Sequence, residues 1–309
     1  MSVALTPDAG ARSGSAGLRR RSLEDRLVVA LTYTVMVLFA LSILYPFWSM
    51  LVDSFNTPAA SVQDRLKLWP AEMTLVNYEQ VFGNTILGTA YLNSVFKSAV
   101  GTAVILLVSF TAAFGLADRT LPGIKAITFF MVFTMFFSGG LIPTFLWYKQ
   151  LGLLNTRIAW ILHLAVSAYY IIIMRNFFRE IPQEMTESAT IDGASLAQVL
   201  FRIIVPLSTP VVATVALWAA VAHWNDWFFP LVYTPRRDLT VLQVLLRRVL
   251  IENQVTSELE LMHDLDIRNI TAETVKAALL FVSIGPIVLV YPFIQRYFVK
   301  GIMLGSVKG

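Results

Sequence analysis

Six long apolar stretches of this chain contain no lysine, arginine or glutamate. They are residues 27–51, 98–117, 126–148, 158–174, 207–233 and 277–295, and only the fifth holds an aspartate, Asp226. A helix needs about 20 apolar residues to cross a hydrocarbon layer of about 30 Å, so each stretch has the length of a membrane span. The stretches are apolar throughout, whereas a barrel strand alternates apolar and polar residues. The expected fold class is therefore all-α, a polytopic membrane protein with six transmembrane helices. Composition agrees: 14% of the 309 residues are charged, against about 25% in soluble domains, and the mean hydropathy is +0.66.

Basic residues at the ends of the spans set the expected orientation, because short cytoplasmic loops are rich in lysine and arginine. Arg12, Arg19, Arg20, Arg21 and Arg26 precede the first span, placing the N-terminus in the cytoplasm. Six crossings return the C-terminus to that side, in keeping with Arg296, Lys300 and Lys308. The same alternation makes Arg119, Lys125, Arg175, Arg179 and Arg202 cytoplasmic. The loop after the fifth span carries arginines too, but its acids outnumber them. The expected divisions are an N-terminal arm (1–26), a six-helix transmembrane domain (27–295) containing a loop at 179–206, and a C-terminal tail (296–309). The arm has the look of a signal sequence, yet the apolar run after it is too long and lacks a cleavage pattern, so an uncleaved anchor is expected. Residues 1 to about 20 are expected to be disordered.

Several chemistries are excluded or disfavoured. The chain has no cysteine, which rules out disulfides and thiolate metal sites, and His163, His223 and His263 are widely scattered. No GxxxxGK[ST] loop, HExxH motif or nucleophile elbow occurs. The basic balance follows the membrane-flanking arginines rather than a stripe suited to nucleic acid.

The most informative polar segment lies between the fourth and fifth spans. Pro182 suits the first turn of a helix, and Glu184 and Glu187 suit its positive end, so a short helix is expected from about Gln183 to Ile191. Gly193 permits a backbone turn. A second helical stretch then carries Phe201 and Ile204 back toward the membrane, and Pro206 and Pro210 open the fifth span. Ser188, Ala189 and Ala194 are small enough for close approach by a partner.

This segment resembles the EAA loop of binding-protein-dependent ABC importer permeases. Glu187, Ser188 and Ala189 stand at the triplet, Gly193 at the glycine, Ile203 at the isoleucine and Val205-Pro206 at the final pair, with Ser188 and Val205 as conservative departures. The resemblance implies a cytoplasmic coupling helix seated on an ATPase. Glu187 would pair with basic groups there, Asp192 and Gly193 would fix the turn, and Ala189 and Ala194 would pack. It further implies a bacterial cytoplasmic (inner) membrane, a second homologous permease subunit, an ATPase dimer and an external solute-binding protein, alongside membrane lipid and no nucleic acid. No cofactor would be bound by this chain; ATP and Mg would sit on the partner ATPase. Residues 66–78 and the tail 300–309 are similar to carbohydrate-type permeases of the maltose type, in which the tail, here Gly305, Ser306, Lys308 and Gly309, contacts the ATPases. Residues 136–144, 173–178 and 223–227 look most like the subgroup that takes up complex oligosaccharides, alginate or pectin fragments among them.

His223, Trp224, Asn225, Asp226 and Trp227 are the candidate substrate-pathway residues. A charge at mid-membrane costs about 2.5 to 3.5 kcal/mol on insertion scales, so Asp226 must face protein or water. Two readings stay open: Asn225 and Asp226 bond sugar hydroxyls while Trp224 or Trp227 stacks on a ring, or the cluster is an interfacial belt bonded to a neighbouring helix. Residues 138–143 are expected to interrupt the third span, His163 to hydrogen-bond between helices, and Lys97 to snorkel. Two other transport readings remain, a permease for a non-sugar solute and an ion-gradient-driven carrier; the latter would need paired ionisable groups near mid-membrane.

Overall fold

The computed structural model describes residues 23–64, 66–83, 85–250, 273–285 and 288. Most of the N-terminal arm, residues 251–272 of the loop after the fifth span, nearly all of the sixth span beyond residue 285, and the tail with Gly305, Ser306, Lys308 and Gly309 lie outside the described residues. The chain falls into two compact units, residues 1–49 and 50–309.

The first unit contains most of α1 (Leu23–Ser54), which has Glu24 and Asp25 in its first turn, where the helix dipole favours acids. It is apolar on every side rather than along one stripe, as a helix surrounded by apolar groups requires. Pro46 lies inside it.

In the second unit, α2 (Pro58–Gln63) and α3 (Val76–Gly83) are joined by a polar knot. The side chain of fully buried Asn77 donates to the carbonyls of Ser54 and Asn56, while Asp53 accepts from Ser61 and pairs with Lys67. The centre of the unit is α4 (Thr85–Ala117), 33 residues long. Its buried residues, Leu87, Ala90, Ser94, Lys97, Gly101, Ile105, Ser109, Ala113 and Leu116, recur every three or four positions and make one seam. The sequence placed the second span at 98–117; the helix in fact begins 13 residues earlier. Polar Thr85, Asn93, Ser94 and Lys97 hid its continuation.

Three further spans are broken rather than straight. The third divides into α5 (Ile124–Phe136) and α6 (Leu141–Gln150), bent by 109° at a break where Gly140 takes φ +83°. This is the interruption expected from residues 138–143. The fourth also breaks, into α7 (Arg157–Leu164) and α8 (Ala168–Phe178), bent by 52°. That break was not expected; Ser167 makes it by capping α8, its hydroxyl accepting from the Tyr170 N–H. After α9 (Gln183–Ile191), α10 (Leu196–Val199) passes through a π-turn (Leu200–Ile204) into α11 (Val205–Leu207), which meets α12 (Thr209–Asn225) at 87°. The fifth span therefore ends at Asn225, not at residue 233, and α13 (Phe228–Tyr233) is separate. A 3₁₀ turn (Arg237–Leu239), α14 (Leu242–Leu250) and a helix over 273–285 complete the described chain.

Among the described residues two helices can cross a membrane unaided, and five spans result if each bent pair counts as one. Those residues form no strand, only one isolated antiparallel bridge between Asn56 and Met73. Three apolar cores hold the second unit. One joins α4 to α14 and Val275, Ala278 and Leu279; a second joins α4, α8 and the α10 to α12 segment; a third joins α6, α7 and α13.

Candidate functional site

Two places in the second unit concentrate polar groups with a definite geometry. The first is the segment from α8 to α12. At its start the Arg179 guanidinium donates to the carbonyls of Leu116 (2.8 Å) and Ala117 (3.2 Å), which close α4 and lack helical partners. One residue thereby ties α8 to the end of the central helix. Beside it, the hydroxyl and backbone N–H of Thr120 hold the Asp118 carboxyl below its ordinary value.

Helix α9 has the limits read from the sequence, with Pro182 at the cap position rather than inside the first turn. Its C-terminal end is closed by two reversed bonds: Ala194 N–H to Ala189 O at 2.9 Å and Gly193 N–H to Thr190 O at 3.0 Å. That pair defines a Schellman closure, which needs a left-handed residue, and Gly193 supplies it at φ +83°. Ser195 and Gln198 then form a reciprocal capping box that starts α10. In the π-turn the Val205 N–H reaches back five residues to Leu200 O, just before Pro206, which has no N–H to give.

The side chains divide by direction. Glu187, Ser188, Asp192, Gly193 and Pro206 are exposed, and Ile203 is half-buried. Ala189 and Ala194 face inward, packing on the core that includes Leu116, Met174, Phe178, Val199 and Leu200. Their small size allows close approach to the bundle itself. Sequence reasoning missed the outward apolar groups of this segment: Ile191 is 85% and Leu196 73% exposed, with Met185 and Phe201 also open. Their signal was an apolar residue on the solvent side of an otherwise polar helix.

The second place is the break between α12 and α13. Lys97 does not snorkel: its side chain is 1% exposed and pairs with Asp226 Oδ2 at 2.7 Å. Its ammonium also donates to Asp226 O (2.8 Å) and His223 O (3.1 Å), using all three protons. The physical reason is the length of α4, which puts Lys97 in mid-helix on the seam facing α12 instead of at a membrane surface. Asp226 Oδ1 meanwhile accepts from the Phe229 N–H (3.2 Å), so this carboxylate caps α13 while Lys97 caps α12.

The five expected pathway residues therefore separate. His223 and Trp224 are buried, Asp226 is engaged by Lys97, and Asn225 and Trp227 remain exposed. The His223 ring lies against Gly101, where any Cβ would overlap the imidazole, so that crossing requires glycine. Trp224 packs edge-on to Tyr91, and Trp227 carries the Arg247 guanidinium 4.4 Å above its ring. His163 meets α13 by stacking flat on Phe229 at 4.0 Å rather than by the hydrogen bond expected for it. The signal for the ion pair was available: one lysine and one aspartate, each isolated among apolar residues, can share the cost of entering a membrane.

No group of histidine and carboxylate ligands suited to a metal occurs among the described residues. Broken spans, a closed surface helix and a neutralised buried charge pair fit an integral membrane transport subunit. The chain belongs to the family of binding-protein-dependent transport system inner membrane components, whose profile matches residues 119–304. It is similar to the polygalacturonan/rhamnogalacturonan transport system permease protein YtcP of Bacillus subtilis, with 40% identity over 289 residues, 93% of this chain and 100% of that protein. It is 41% identical to protein LplC of Bacillus subtilis over 266 residues, covering 85% and 89% of the two chains. Its fold matches a chain in the crystal structure of a bacterial ABC transporter involved in the import of the acidic polysaccharide alginate, with a TM-score of 0.84, 32% identity, and coverage of 90% of this chain and 98% of that one.

Proposed function

We propose that this permease subunit forms half of a translocation pathway for oligosaccharides derived from acidic polysaccharides, and that its 179–206 segment docks on a partner ATPase. The cargo class is supported by the polygalacturonan/rhamnogalacturonan permease protein YtcP and by the transporter involved in the import of the acidic polysaccharide alginate. A homologous second permease completes the pathway, and an external solute-binding protein delivers the cargo. The subunit itself catalyses no reaction and holds no cofactor; ATP and Mg belong to the ATPase dimer. Both termini and the docking segment lie on the cytoplasmic side of a bacterial cytoplasmic membrane, where the tail residues Gly305, Ser306, Lys308 and Gly309 also reach the ATPases.

The observation that carries the coupling role is the junction of α9 with the core. Ala189 and Ala194 are joined by the Schellman closure and packed against the apolar core that α4 and α8 share with the α10 to α12 segment. A push on the outward side of α9, through Glu187, Ser188 and Ile191, therefore moves the helices as a body, as rigid-body switching requires. Asp192, Gly193, Ile203 and Pro206 hold the geometry of the turn and the return to α12. The test is uptake into proteoliposomes holding both permeases, the ATPase and the binding protein. Oligogalacturonide uptake is expected to stop when the ATPase or ATP is omitted. Uptake driven by an ion gradient without the ATPase would overturn the proposal, and transport restricted to non-sugar solutes would overturn its cargo class.

A further inference from the structure

The rings of Tyr169 and Tyr170, in the first turn of α8, meet Trp218 near the middle of α12. The two tyrosines follow directly on the break that halves the fourth span, so all three rings lie near mid-membrane in the proposed topology. Between ring centroids Trp218 is 5.8 Å from Tyr169 and 6.3 Å from Tyr170, its plane tilted by 33° and 25° from theirs. Tyr169 is exposed, and Tyr170 and Trp218 are half-buried. Trp218, Val221 and Asn225 follow the i, i+3, i+7 pattern along one side of α12, where Val221 and Asn225 are exposed. Among the described residues the two phenol hydroxyls, the Trp218 indole N–H and the Asn225 amide make no hydrogen bond. Lipid is a poor neighbour for this side: tyrosine and tryptophan favour the membrane surfaces, where their polar ends reach water, and a hydroxyl at mid-depth finds no partner among acyl chains. The break beside the rings is open as well, with Val166 71% exposed, and interrupted backbone at that depth lines a cavity or is covered by protein.

We propose that Tyr169, Tyr170 and Trp218 form a stacking platform for a pyranose ring of the oligosaccharide in transit, with the phenol hydroxyls and the Asn225 amide taking sugar hydroxyls. The inference rests on the oligosaccharide cargo proposed above. A pyranose presents C–H groups on its faces and hydroxyls around its rim. Three rings from two helices, lying within 33° of parallel on either side of the contact, offer a broad flat surface to the face, and each aromatic carries a polar atom at its edge for the rim. Tyrosine and tryptophan give this area at low ordering cost, since each has two side-chain torsions to fix. Stacking of this kind reads the sugar face and not its charge, so the platform takes acidic and neutral units of a chain alike.

Two measurements on the complete transporter in proteoliposomes test this. In the first, Trp218→Leu, which keeps apolar bulk but no aromatic face, is expected to raise the transport Km for oligogalacturonide roughly tenfold, and Trp218→Phe to recover part of it. Tyr169→Phe, which keeps the ring and removes the hydroxyl, is expected to raise the Km a few-fold. In the second, Val221→Cys supplies the one thiol of this chain, on the same side of α12. A small hydrophilic maleimide is expected to label it in the bilayer, and oligogalacturonide to slow the labelling. A Km unchanged in Trp218→Leu, in a transporter whose wild type imports oligogalacturonide, overturns the platform alone. So does a lower maximal rate at unchanged Km, which assigns Trp218 a packing role, and so does a thiol that stays unlabelled, which gives this side to lipid or to the second permease. Failure of the wild type to import oligogalacturonide sinks the cargo proposal and the platform with it.

Discussion

Lys97 and Asp226 form a buried ion pair that also closes two helix ends. Each is costly in an apolar setting, and each closes a helix end as well as neutralising the other. Removing one partner leaves a buried charge uncompensated, a loss of about 3 to 5 kcal/mol. Lys97→Met and Asp226→Asn are each expected to lower the thermal stability of the detergent-solubilised subunit by that measure. The double variant should recover much of the loss, because Asn keeps an acceptor for the Phe229 N–H and no charge remains. Additive losses in the double variant would show that the two residues act separately. The pH behaviour of Asp118 is milder. Its carboxyl is held low, so its contribution is complete above the ordinary carboxylate range and disappears as pH falls through the lowered value, well outside neutral conditions.

At the scale of elements, the turn after α9 is the place where a single backbone angle governs a surface. Nothing lies within 4 Å of a Cβ built on Gly193, so a substitution there meets no steric clash and acts only through φ. A β-branched residue in the left-handed region costs about 1 to 3 kcal/mol, enough to open the Ala194 to Ala189 closure and release α9 from the core. Gly193→Val is expected to reduce sugar imported per ATP hydrolysed while the subunit still reaches the membrane. Gly193→Asn should be nearly silent, since asparagine tolerates this conformation. Coupling at the wild-type ratio in Gly193→Val would remove the turn from the mechanism. The limits of α9 were legible in advance because Pro182, the early acids and Gly193 are local signals. The inward direction of Ala189 and Ala194 was not, because it depends on a core to which distant α4 contributes as well as the neighbouring segments.

For the whole molecule, the proposed topology puts one crossing between the α9 segment and the 3₁₀ turn at Arg236. The absence of cysteine from the chain makes this directly measurable. Glu187→Cys and Arg236→Cys, both at exposed positions, are expected to react with a membrane-impermeant maleimide from opposite sides: Glu187→Cys in inside-out vesicles and Arg236→Cys in right-side-out vesicles. Labelling of both from one side would contradict the crossing through α12.

Hydrophobic length and basic flanks were enough to establish an all-helical membrane protein, and the spacing from Glu187 to Pro206 was enough to indicate its family. These properties are local, since the bilayer tests each segment by itself and a docking loop is read at fixed separations. The sequence could also place Asp226 in an apolar stretch, but not decide what became of it. Only the tertiary structure did that, by extending α4 back to Thr85 so that Lys97 meets the end of α12. A buried charge is settled by whichever partner the packing brings within hydrogen-bonding distance, and that partner stands 129 residues away in the chain.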